Sequence, residues 1–145
     1  MKKDIPYGDK IHVKSFSGST VADLTHHVKP SIAYQPDLFI IHGGSNDLRS
    51  EKTTMQIAEE IINLASDIKT PNNEVMVSGL VYRNDFLNDK GQEVNGILIE
   101  KCAENNIYFI NNNNITEMDL NGSGLHLNFR GTSRLANNFL DCITL

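Results

Sequence analysis

Tryptophan is absent from this chain, cysteine occurs twice, proline four times, and aromatic residues make up only 7% of it. The two cysteines, Cys102 and Cys142, each sit in an apolar helical pattern, and no C-x-x-C pair is present. A disulfide scaffold and a structural zinc site are therefore excluded, and a reduced, intracellular setting is expected. Long hydrophobic runs are missing too: Leu38-Phe39-Ile40-Ile41 is as long as any unbroken aliphatic or aromatic stretch, against the ~20 residues a membrane helix requires. The N-terminus, Met1-Lys2-Lys3-Asp4-Ile5-Pro6, lacks the apolar core of a signal peptide. These absences predict a soluble, cytoplasmic protein without a membrane partner. Positive charge is also short, with 13 Lys plus Arg against 18 Asp plus Glu and a net charge of -5, which argues against a general nucleic-acid surface.

What remains is enough for one domain with a real core, since 145 residues bury about two-thirds of the unfolded surface. Apolar periodicity alternates between short strand-like and longer helix-like segments. Ile11 to Phe16 alternates strictly and ends in Ser17-Gly18-Ser19, a strand and a turn. Thr20 then reads as the N-cap of a helix carrying Val21, Leu24, Val28 and Ile32, which Pro30 must end or kink. Asp37 to His42 is a continuous apolar run, the pattern of a parallel strand covered on both faces. Ile57, Ile61, Leu64 and Ile68 mark a helix from about Thr53 to Lys69, with Pro71 beyond it. Glu74 to Ser78 and Ile107 to Ile110 read as strands, Leu87 to about Asn105 as a helix between them, Asn111 to Asn114 as a polar loop, and Thr132 to Cys142 as a last helix. Strands separated by helices imply βαβ units, hence a three-layer α/β/α domain on a parallel sheet. The 17 asparagines, residues that favour turns over element interiors, predict modest stability.

Three polar segments fall where strands end, the edge at which open parallel sheets place their chemistry. In Phe16-Ser17-Gly18-Ser19, Gly18 lets a ligand approach the backbone and offers its N–H, or simply makes a strand-to-helix turn. In His42-Gly43-Gly44-Ser45-Asn46-Asp47, two glycines allow a sharp bend, and Asn46 either aims its amide at a developing oxyanion or, with Asp47, caps the next segment. His42 itself, at the end of an apolar strand, reads as a packed or hydrogen-bonded core histidine. In Ser123-Gly124-Leu125-His126-Leu127-Asn128, His126 is either a general base or a structural histidine. His26 and His27, neighbours on one helix, point about 100 degrees apart and are surface residues, not joint metal ligands.

In type and chain order these segments resemble the SGNH (GDSL-like) hydrolase superfamily, whose four blocks supply Ser, Gly, Asn and His. Gly18 matches the second block, Gly44-Ser45-Asn46-Asp47 the Gly-x-Asn-Asp of the third, and Leu125-His126-Leu127-Asn128 with Gly131-Thr132 the last. The signatures are particularly similar to those of SGNH-like domains found near mobile-element open reading frames in animal genomes. The resemblance runs from about Ile11 to the C-terminus and implies a flavodoxin-like fold and hydrolysis of an ester or thioester, such as a small acyl ester, through an acyl-enzyme, without cofactor or metal. It implies His126 as general base, Gly18 and Asn46 as the oxyanion hole, and Gly44 and Asp47 in support.

One block has no counterpart. Gly8-Asp9-Lys10 is the nearest match to the nucleophile's Gly-Asp-Ser, but it has lysine where serine belongs and no apolar strand before it. The expectation is therefore an N-terminal tail over residues 1–10 and an N-terminally truncated SGNH-like domain over 11–145 that lacks the first central strand, with no assignable nucleophile. Ser123 stands where the family has the aspartate that orients the imidazole; a hydroxyl supplies no charge for that task. In the family's strand order 2-1-3-4-5 the lost strand is a central one, so its loss invites self-association or a partner strand that completes the sheet. The expected chemistry is weak or absent ester hydrolysis; the alternative is a non-catalytic module that binds RNA or protein, RNA being disfavoured by the charge.

Overall fold

Three of the α-helices begin where a side chain caps them. The computed structural model describes residues 3–4 and 19–144; the expected strand at 11–16 and Gly18 lie outside the described residues. In chain order the elements are β1 (Lys3–Asp4), α1 (Val21–His27), α2 (Lys29–Ala33), β2 (Leu38–His42), α3 (Thr54–Ile68), β3 (Glu74–Ser78), α4 (Asn88–Glu104), β4 (Tyr108–Ile110), α5 (Phe129–Asp141) and β5 (Ile143–Thr144). Thr20 caps α1 in a reciprocal box with Asp23, and Thr53 does the same for α3 with Gln56. The helix expected to carry Val21 to Ile32 is interrupted near Pro30, as expected: α1 ends at His27, and Pro30 stands in the first turn of α2, where its missing N–H has no partner to lose. The last helix starts three residues before Thr132, because the Asn128 Oδ1 accepts the Gly131 N–H at 2.9 Å and so fixes the N-terminus there.

β2, β3 and β4 form a parallel sheet in that order, with Leu38 opposite Glu74 and Met76 opposite Tyr108. β1 and β5 form a separate two-stranded parallel pair. The α/β class expected from the sequence is the one found, with three strands in the main sheet among the described residues. One sheet face carries Val75 and Val77 against Ile57, Ile61, Val94 and Leu98 of α3 and α4; the other carries Met76 and Ile110 against Phe139 and Cys142. Helices thus cover both faces, and because β2, β3 and β4 run parallel, their C-terminal ends lie at one edge. β3 is buried from Val75 to Ser78. β2, expected to be covered on both faces, leaves Leu38, Phe39 and Ile40 half-buried, since among the described residues it pairs only with β3.

Candidate functional site

Beyond β2 the chain turns at Gly43-Gly44. Gly44 has φ +104, a left-handed backbone, and a Cβ there would stand 3.0 Å from Ile61 Cδ1, so glycine alone permits the turn at no cost. The turn delivers Asn46 and Asp47 to the start of α1. Asn46 Nδ2 donates to the Ser19 carbonyl at 3.0 Å, and Asp47 Oδ2 accepts the Val21 N–H at 3.0 Å. Asp47 is fully buried, and its other oxygen meets Lys52 Nζ at 3.3 Å. The asparagine amide is therefore tied beside residue 19, the neighbour of Gly18, while the aspartate caps the preceding helix, not the following segment. Glu60 and Asp47 together hold the Lys52 ammonium above its ordinary range.

A residue that sequence reasoning missed clamps this turn. Arg83, just past β3 and almost wholly buried, grips Asp85 through Nε and Nη2 at 2.8 and 2.7 Å, while Nη1 donates to Ser45 O and Oγ at 3.2 and 3.3 Å. The guanidinium in turn holds the Asp85 carboxyl below the usual carboxylate range. An arginine two residues before an aspartate has no periodicity to mark it; its only signal is that it follows a buried strand.

The His126 segment is a tight turn closed by backbone bonds from Asn121 N to His126 O and from Asn128 N to Asp119 O, both at 2.8 Å. Gly124, at φ +75, packs on Asn84, whose N–H bonds to its carbonyl at 2.9 Å. Asn128 holds the turn from below, donating to the Met118 and Leu120 carbonyls. Ser123 Oγ donates to Asn121 Oδ1 at 2.5 Å and accepts the Leu125 N–H, so its hydroxyl is engaged within the turn. Asp119 is buried on Arg130, Arg134 and the Thr116 N–H. His126 is exposed, and its ring has no hydrogen-bond partner among the described residues. Asn84 and Arg83 thus join the His126 turn to Ser45 and Asn46, and Asn46 to Ser19. The structure links the three sequence segments through the 82–85 loop.

A second polar network runs beneath this edge. Asn112 Nδ2 donates to Ser78 Oγ at 2.8 Å and Asn138 Nδ2 donates to Asn112 Oδ1 at 3.0 Å. Ser78 Oγ also lies 2.8 Å from His42 Nδ1. His42 is an exposed residue whose ring lies edge-on to Phe139, and desolvation there holds it below the ordinary imidazole range. His42 is hydrogen-bonded to Ser78, but it is an exposed residue at the end of β2 and not the core histidine expected; Ser78 is closed to solvent. His26 and His27 are exposed on α1, and burial pushes the Cys102 thiol up to about 11, away from nucleophilic use. A groove of about 470 Å³ lies beyond β3 and β4, among Tyr82, Asn88, Gln92, Asn113 and Glu117; no cation lines it. No group of three or more His, Cys, Asp or Glu able to hold a metal exists among the described residues. No helix there is long and apolar enough to cross a membrane.

Comparison with known proteins agrees with this arrangement. The sequence model of the GDSL-like Lipase/Acylhydrolase family matches residues 4–134. A member of the lipolytic protein G-D-S-L family from Veillonella parvula superposes with a TM-score of 0.71 at 17% identity, over 86% of this chain and 74% of that one. A GDSL-like lipase from Bacteroides thetaiotaomicron gives 0.74 at 17% identity, over 86% and 71%. A catalytic mutant of an acetylxylan esterase from Geobacillus stearothermophilus gives 0.73 at 20% identity, over 86% and 68%. At these identities the structures speak for the fold. No curated protein sequence matches the chain.

Proposed function

Because this chain belongs to the GDSL-like Lipase/Acylhydrolase family, we propose that it is a serine ester hydrolase by descent that hydrolyses small acyl esters weakly or not at all. In this reading Asn46 and the Gly18 N–H form the oxyanion hole, His126 is the base, and Ser123 takes the place of the orienting aspartate. The observation that carries it is the state of His126: an exposed ring with no orienting partner among the described residues, while the nearest match to the nucleophile block reads Gly8-Asp9-Lys10. A base without an orienter or a nucleophile leaves only binding and oxyanion stabilisation. In a serine triad those amount to roughly 10³-fold over water, far below useful turnover. The signatures also support kinship with the SGNH-like domains that accompany animal mobile elements.

Intact mass after exposure to a fluorophosphonate tests this, run beside His126→Ala. The expected result is no adduct on a cooperatively folded chain. A single adduct that disappears in His126→Ala would overturn it, because an activated serine would then be at work. An unlabelled chain directs attention to the second reading, a module that binds a partner through the same edge. That reading is favoured by the three-strand sheet, whose β2 pairs on one side only among the described residues. Its partner is a further strand, from a second copy or another protein.

A further inference from the structure

We propose that Arg130 and Arg134 form a binding site for a phosphate group beside the His126 turn, an inference that rests on no assumption about ester hydrolysis. In the other ion pairs among the described residues each cation has a carboxylate of its own: Lys52 meets both Asp47 and Glu60, Lys69 pairs with Glu74, and Arg83 with Asp85. At the start of α5 the ratio reverses. The Nε atoms of Arg130 and Arg134 both meet one oxygen, Asp119 Oδ1, at 3.3 and 3.2 Å. Asp119 is 1% exposed and its Oδ2 is taken by the Thr116 N–H at 2.9 Å, so it is committed to holding the pair. Glu117, in the same turn, makes no ion pair with either arginine among the described residues.

Residues four apart on a helix share a face, and two like charges there repel unless something holds them together. Here a buried carboxylate does so and leaves one positive charge over. Each guanidinium is engaged through Nε only, so its two NH2 groups have no protein partner among the described residues. The side chains are 55% and 38% exposed, which turns those groups toward solvent with part of their hydration already removed. A tetrahedral phosphate offers oxygens to both forks and the charge that completes neutralisation, whereas a planar carboxylate fills one fork. The N-terminal amides of the 13-residue α5 add potential of the same sign.

The test is an NMR titration of the full chain with inorganic phosphate at low ionic strength, following the arginine Nε–H and α5 amide signals, with sodium chloride at matched ionic strength as control. Saturable shifts confined to Arg130, Arg134 and the first turn of α5 are expected. Affinity should fall about tenfold or more in Arg130→Lys and Arg134→Lys, which keep the charge and lose the fork. Shifts reproduced by chloride, or unchanged in both lysine variants, would overturn the proposal. A parallel titration with a short single-stranded oligonucleotide assigns the source of the phosphate. Tighter binding than inorganic phosphate points to a polynucleotide backbone; no binding points to a small phosphomonoester.

Discussion

A methyl group on Gly131 would stand 2.2 Å from the Asp119 carbonyl oxygen, closer than any contact the turn and helix could hold without moving apart. Gly131→Ala is therefore expected to cost about 1–3 kcal/mol of folding free energy, read as a lower urea midpoint at unchanged slope. His126→Ala, by contrast, removes an exposed ring and should stay within about 0.5 kcal/mol. Of the Leu-His-Leu-Asn-x-x-Gly-Thr signature, then, Asn128 and Gly131 build the turn, while His126 is exposed and its ring has no hydrogen-bond partner among the described residues. His42 gives a pH prediction. Its ring is held below the ordinary imidazole range in the folded chain, so folding favours the neutral form. Its contribution is present above the unfolded value of about 6.5 and is lost as pH falls through the lower folded value. Urea midpoints measured at steps downward from pH 7 should fall, and His42→Gln should remove that part of the slope; an identical slope in both proteins would refute the assignment.

Among the elements, α3 was readable to within a residue at its start, because Thr53 and Gln56 form a capping box just ahead of a clean apolar stripe. Thr53→Ala should cost about 1 kcal/mol in thermal or urea unfolding. The start of α5 was hidden because Phe129, at its first position, is 90% exposed and adds nothing to the apolar period, while the cap is the Asn128 side chain. The Arg83 clamp was equally hidden, since its partner Ser45 lies 38 residues away. Arg83→Met should remove the Ser45 anchor of the turn at Gly44 to Ser50, leaving its backbone bonds and the side-chain contacts of Asn46, Asp47 and Lys90 to hold it. Hydrogen exchange at the Asp47, Leu48 and Ser50 amides, which close that turn, should then quicken about tenfold, the scale of one lost charged hydrogen bond. Unchanged exchange would mean that the turn holds itself.

At the scale of the whole molecule, β2 is the open question for association. β2, with Leu38, Phe39 and Ile40 half-buried, has one strand neighbour among the described residues, and the proposed partner strand would pair on its other side. Sedimentation across a wide concentration range is expected to show a mass that rises with concentration; a monomer throughout would argue against the edge as a docking surface. The sequence by itself determined the α/β class, the parallel sheet and the order of the Gly44-to-Asp47 and His126 segments, because apolar period and turn residues are local properties of the chain. It also marked Asn46, Asp47 and His126 as candidates, though each kept a structural alternative. Only the tertiary structure decided between those alternatives for Asp47, which a Val21 N–H and a lysine claim. It alone brought Arg83 onto Ser45, and Arg130 and Arg134 onto one carboxylate. Such contacts depend on which loops meet at the sheet's C-terminal edge, and a separation along the chain carries no trace of a distance that packing sets.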